Sequence, residues 1–139
     1  MEFLVDTKDL DILAKDLRAY NLKAKRNVNK VMTNYVRKTR DRVRYHASRR
    51  PGPNYVTGRY ANSIRAARGR GADMYRIIVW SDHPASHRLE YGFVGADSLG
   101  RMYSQPPYPH FRPAIAELAP ALQKDLGDAI QKAWFVSGF

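Results

Sequence analysis

The sequence predicts an α+β domain, with a long N-terminal helix and a C-terminal helix packed on a small antiparallel β-sheet and a long loop before the last helix. Three observations carry that expectation. Apolar residues recur at helical spacing over two long stretches, one early and one at the end of the chain. Between them lies a β-branched and aromatic run, preceded by a glycine-rich turn. Residues 94–112 follow neither period and are rich in Gly, Pro, Ser and Tyr. At 139 residues, the chain has the size of one domain, expected to span 1–139.

The first helix is expected over residues 6–50. Leu10, Leu13, Leu17, Tyr20, Ala24, Val28, Val31, Tyr35, Thr39, Val43 and His46 follow one another at intervals of three or four, forming one stripe. Asp6 and Thr7 suit the N-cap, and Asp9 and Asp11 suit the positive end of the helix dipole. Pro51-Gly52-Pro53 ends the element. From the first stripe residue, Leu10, to residue 50, about 41 residues at roughly 1.5 Å each span about 60 Å, against a radius of gyration near 14 Å for a compact domain of this size. The helix is therefore expected to break near Asn21 or Asn27-Val28-Asn29, or to extend as an arm packed on a neighbour.

Residues 51–93 are expected to hold a loop and a β-hairpin sheet. Thr57 can cap a short helical turn that runs through Ile64, and Gly58 supplies the freedom of a tight entry. Ser63 to Arg68 and Met74 to Ser81 read as the two strands, joined by a turn over 69–73. Ser86 to Phe93 reads as a helical turn running into a strand, with Gly92 at a sharp bend. After the 94–112 loop, Pro113 suits the first position of a helix over 113–135. Ile115, Leu118, Leu122, Leu126, Ile130 and Trp134 form its apolar face, and Pro120 inside it is expected to kink it.

Composition bounds the chemistry. Apolar residues make up 44% and aromatics 12%, enough for a real core. The absence of cysteine excludes a disulfide framework, a thiolate zinc site and a thiol nucleophile. No apolar run approaches the roughly 20 residues of a membrane helix, and the first ten residues do not read as a signal peptide.

The net charge is +11, and it is concentrated. Residues 37–70 hold eleven basic side chains, ten of them Arg, against Asp41 alone. Such a patch attracts phosphate or acidic protein surface, and Arg is the residue for bidentate contact with either. The plain alternative is a solvated basic face.

No catalytic constellation emerges. His83, His87 and Glu90 lie close in sequence, but a metal or acid–base site needs a further partner, and only His46 and His110 remain. Glu90 is expected to pair with the arginine patch. The serines include no nucleophile elbow, and Gly69-x-Gly71 reads as a hairpin turn rather than a phosphate loop. No enzymatic activity, cofactor or metal is expected. Tyr35, Tyr45, Tyr55 and Tyr60 near the arginines leave a single-stranded nucleic-acid binder as an alternative.

The order of pieces carries a resemblance. Thr57-Gly58-Arg59-Tyr60-Ala61-Asn62-Ser63-Ile64 follows the long helix. Leu89-Glu90-Tyr91-Gly92-Phe93 follows the hairpin. Pro107-Tyr108-Pro109-His110-Phe111-Arg112-Pro113-Ala114 opens the last helix. This resembles the HK97 gp10-like family of tailed-bacteriophage head–tail joining, or tail-completion, neck proteins. Tyr60 stands where that family usually has Leu, and Tyr91 and Phe93 where it has Phe and Thr.

The resemblance implies a structural virion protein assembled in the bacterial host cytoplasm. It implies a homo-oligomeric ring, most often of six copies, in the neck. One face would meet the head-completion or connector protein, the other the tail tube or tail terminator protein, with genomic DNA passing through and no membrane involved. Thr57, Gly58, Ser63, Ile64, Glu90, Tyr91, Gly92, Phe111, Arg112 and Pro113 are then expected to maintain the fold. Arg37, Arg40, Arg44, Arg49 and Arg50, with Tyr103 and Tyr108 of the long loop, are the candidate contacts to neighbouring subunits or partners.

Overall fold

The computed structural model describes residues 2–5, 22–54, 57–71 and 75–136. The element order is β1 (Glu2–Val5), α1 (Leu22–Ala47), α2 (Arg59–Ser63), β2 (Ile64–Arg68), β3 (Ile77–Ser81), α3 (Ser86–Tyr91), β4 (Phe93–Ala96), β5 (Met102–Gln105) and α4 (Phe111–Val136). The α+β class is as expected, with two long helices and small antiparallel sheets. Among the described residues, no helix is long and apolar enough to cross a membrane.

Helix α1 is unbroken through Asn27-Val28-Asn29, so the break considered there does not occur. The expected segment 6–21, including Asn21 and both N-cap candidates, lies outside the described residues. The predicted stripe is the buried face, with small shifts: Ala24, Val28, Met32, Tyr35, Thr39, Val43 and Ala47 are buried. Met32 and Ala47 take the deepest places where Val31 and His46 had been expected, because 3.6 residues per turn lets a neighbouring position rotate onto the packing seam. Just past the helix end, a Cβ on Gly52 would lie 1.8 Å from the His46 carbonyl oxygen, so only glycine fits against that terminus.

Helices α1 and α4 pack antiparallel. Four contacts fix their direction: Asn27 Nδ2 donates to the Ala129 carbonyl, Tyr35 bonds Asp125, and Arg42 and His46 both reach Glu117. The Tyr35 hydroxyl, buried and donating to Asp125, has its pKa pushed up to about 12, first by burial and then by that carboxylate. Between the helices and the sheet lie two contiguous apolar clusters. One joins Val28, Met32 and Tyr35 to Tyr75, Ile77, Leu122 and Leu126. The other joins Val43, Ala47 and Ala61 to Ile64, Val79, Phe111 and Ala114.

The sheet has strand order β1-β3-β2, all antiparallel. The predicted hairpin is its β2–β3 half, paired Ile64 with Ser81 through Arg68 with Ile77. Strand β1 was not foreseen: four residues are too short to display a period, and only pairing with β3 makes them a strand. In β3, Ile77, Val79 and Ser81 point into the core, while Ile78 and Trp80 alternate outward and are half-buried.

The stretch expected as a loop over 94–112 is mostly ordered. Strands β4 and β5 form a separate hairpin, Phe93 opposite Gln105 through Ala96 opposite Met102. The connection Asp97-Ser98-Leu99-Gly100 is a turn closed by Gly100 N–H donating to the Asp97 carbonyl at 3.0 Å, with Gly100 at φ +80°. Helix α4 begins at Phe111 rather than at Pro113, which occupies the third position, where its missing N–H is still harmless.

Candidate interaction surfaces

Glu90 organises the centre of the motif region, and not as the sequence suggested. Its expected pairing with the arginine patch does not occur. The side chain is buried, 3% exposed, and accepts from the backbone N–H groups of His110 (2.8 Å), Phe111 (3.1 Å) and Arg112 (3.1 Å). These are orphan donors of the first turn of α4, so a carboxylate from α3 acts as that helix's cap. His110 Nδ1 also lies 3.0 Å from Glu90 Oε2. Burial alone would raise the Glu90 pKa. The hydrogen bonds from His110, Arg112 and Phe111 outweigh it and hold the carboxyl below its ordinary 4.5.

His110 is fully buried and bridges two elements. Its Nδ1 faces the Glu90 carboxylate and the Tyr108 carbonyl at 2.8 Å, both acceptors, so Nδ1 carries the proton. Nε2 then accepts from the Tyr60 hydroxyl. Burial, and next the Glu90 charge, push the Tyr60 pKa up, so it stays a phenol. Glu90, His110 and Tyr60 thus form a closed chain tying α3, α4 and α2 together, with every member satisfied.

The other motif residues serve the same joint. Gly58 takes φ +79° at the entry to α2, and Thr57 Oγ1 accepts from the Arg59 N–H at 3.4 Å. Ser63 Oγ bonds the Tyr60 carbonyl at 2.5 Å and Ser81 Oγ at 2.7 Å, and Ile64 is fully buried. Gly92 sits at φ +79°, where a Cβ would meet the Gln105 carbonyl at 2.8 Å. Phe111 is fully buried, and the Arg112 guanidinium lies 5.0 Å from the Tyr91 ring.

The candidate contact arginines divide. Arg44 reaches inward, donating to the Ile64 carbonyl (2.8 Å and 3.1 Å) and the Asn62 carbonyl (3.3 Å), which blunts the free edge of β2 at its first residue. Arg50 lies 4.2 Å over the Tyr108 ring and donates to the Gly52 carbonyl. Arg49 stacks on Tyr45 at 3.8 Å. Arg40 pairs with its own neighbour Asp41 at 2.9 Å. Arg37 is exposed and makes no ion pair among the described residues, as do Arg59 and Arg65. The five-arginine face expected from the sequence therefore narrows. Arg44 and Arg50, with Tyr108 beneath Arg50, hold the chain's own loops.

Arg37 lies seven residues, about two turns, before Arg44 and so on the same side of α1. Strand β2 runs along that side, since Arg44 meets Ile64 at one end and Arg68 donates to Asn29 at the other. Arg37 and Arg40 thus lie along α1 beside the edge strand, while exposed Arg65, paired opposite Trp80, projects from the outer face of that strand.

The second outward feature is the β4–β5 hairpin. One of its faces is fixed to α3: Arg88 lies 4.2 Å over Phe93 and donates to the Tyr103 hydroxyl at 2.9 Å, while Phe93 and Tyr103 rings pack at 5.3 Å. Tyr103, expected as a contact, is thereby occupied within the hairpin. The opposite face carries Val94 (77% exposed) and Met102 (72%), with Leu99 (75%) at the tip. Sequence reasoning missed these three residues. The available signal was Asp97 and Gly100 at the first and fourth places of a turn between two short runs.

Among the described residues, no three His, Asp or Glu side chains gather in a metal-holding group. No protein-family model, curated protein or solved structure matches this chain. The class that the fold and surfaces define is a small basic α+β protein whose titratable core groups hold its own elements.

Proposed function

We propose that this chain is a structural protein of a tailed-phage virion that works by binding rather than by turnover, forming a ring in the neck between the DNA-filled head connector and the tail tube. The observation that carries the reading is the use of Glu90, His110 and Tyr60. These buried or half-buried titratable groups are consumed in locking α2, α3 and α4, while the outward features are exposed arginines and an apolar hairpin. Perturbed groups aimed into a cleft would support an enzyme. The order of motifs that resembles the neck family supports the same assignment.

The exposed arginines then dock on acidic surface of the adjoining ring. The test is charge reversal at Arg37 and Arg65, which spares the inward-bonded Arg44. The R37E/R65E protein should keep the wild-type melting temperature and fail to join heads to tails in a reconstituted assembly. Normal joining by the folded variant would sink the proposal. A nucleic-acid-binding role is the second reading, favoured by the unpaired state of those same arginines among the described residues. It predicts a monomer or dimer whose DNA affinity falls steeply with salt and which ignores phage structures.

A further inference from the structure

We infer that the β4–β5 hairpin is a self-association arm, whose tip Leu99 and outer residues Val94 and Met102 seat in the proline-lined groove of a second copy of this chain. The inference rests on the ring reading above and names the surfaces that would build it.

The arm is pre-shaped. Asp97 accepts from the Leu99 and Arg101 N–H groups at 2.9 Å each and from the Arg101 guanidinium at 2.8 Å, which fixes the turn and holds Leu99 outward. Arg88 clamps the inner face on Phe93 and Tyr103. A hairpin backbone fixed in advance has less conformational entropy left to lose on docking.

Charge points to a like copy as the occupant. The net charge of +11 is concentrated in residues 37–70, so two copies repel wherever those stretches face each other. The hairpin over 93–105 contains only Asp97 and Arg101, paired with each other, and is neutral. It is an exposed apolar stretch that another copy can approach without like-charge cost. An acidic foreign partner would be matched by the exposed arginines instead.

The acceptor is on the same molecule. A groove of about 580 Å³ is lined by Tyr91, Pro107, Pro109, Pro113 and Ala116, with Glu90 and Arg112 also in its wall. Tyr91 and Pro107 adjoin the hairpin root. Four residues of strand at about 3.3 Å each put Leu99 on the order of 13 Å from that root, so the tip cannot fill its own groove. A convex arm and a separate concave site make a head-to-tail contact, the kind that closes into rings rather than two-fold dimers. A standard interface buries about 800 Å² per partner. Three apolar side chains supply part of that, and each copy in a ring makes the contact twice, once with its arm and once with its groove.

Because the chain has no cysteine, Leu99→Cys and Ala116→Cys can be placed without background. Under mild oxidation of the purified full-length protein, the L99C/A116C variant should give a ladder of cross-linked species. A mixture of the two single variants should give dimer, and each single variant alone should stay uncross-linked. In parallel, V94E/M102E should shift the native mass to monomer at an unchanged melting temperature. Cross-linking of L99C with itself, or no cross-linking at the highest attainable concentration, would overturn the inference. Persistence of a ring in V94E/M102E that still joins heads to tails defeats this inference and leaves the neck reading standing. Cross-linking as expected in a protein that joins nothing defeats the neck reading alone.

Discussion

Removing the Glu90 carboxylate should destabilise the domain far more than its place in an ordinary surface-like sequence context would suggest. In Glu90→Ala, the N–H groups of His110, Phe111 and Arg112 lose their shared acceptor. A buried donor left unsatisfied costs about 1–3 kcal/mol. His110 keeps the Tyr108 carbonyl at 2.8 Å as a partner for Nδ1, and Arg112 is exposed enough for water to reach its N–H. The expected loss is therefore about 3–5 kcal/mol, the range for breaking a buried pair. At about 4 °C per kcal/mol for a chain of this size, the melting temperature falls by about 12–20 °C.

Glu90→Gln keeps one carbonyl oxygen but turns an amide donor toward backbone donors, and should lose about 1–2 kcal/mol. The pH dependence separates a charged cap from simple packing. Because the folded-state pKa is depressed, the carboxylate's contribution is fully present above the ordinary 4.5 and is lost as pH falls through the folded-state value. Urea unfolding of the wild type and E90Q should therefore differ at pH 7 and converge as the pH drops below 4.5. A loss under about 1 kcal/mol for E90A, or parallel pH profiles for the two proteins, would refute the assignment of Glu90 as the cap of α4.

Four further outcomes are expected. Gly52→Ala places a methyl group on the His46 carbonyl and should cost about 3 kcal/mol or more in chemical denaturation, whereas Gly71→Ala, at φ +58° in open space, should cost about 1–2 kcal/mol. Tyr35→Phe removes the hydrogen bond to Asp125 and should lower stability by about 0.5–1.5 kcal/mol, and it should erase a tyrosine ionisation near pH 12 in the absorbance titration. Leu122→Ala, at a fully buried seam of α1 and α4, should cost about 2–5 kcal/mol by calorimetry. Arg42→Ala breaks a half-exposed pair with Glu117 and should change the melting temperature little, by less than about 1 kcal/mol in stability.

The amphipathic periods made α1 and α4 readable in advance, because a helix buries one face and its sequence must repeat at the helical spacing to do so. The β3 run was readable from its β-branched and aromatic composition and its length. Gly58, Gly92 and Phe111 were recognisable as structural because each answers a local demand, a positive φ or an aromatic anchor. Strand β1 and the β4–β5 hairpin were not, since strands of four residues carry too little pattern to outweigh Gly and Pro around them.

The surfaces divide along the same line. That the chain is basic in one stretch, free of cysteine and built on two long amphipathic helices follows from composition and period alone. What each charge does depends on the packing of the elements. Arg44 and Arg37 are indistinguishable in sequence, yet one bonds the β2 backbone and the other stands free of ion pairs among the described residues. Glu90 found its partners about twenty residues away, at a helix start that exists only once α3 and α4 are brought together. A hydrogen bond depends on positions in space to within a few tenths of an ångström, and one-dimensional spacing carries no such information across a turn.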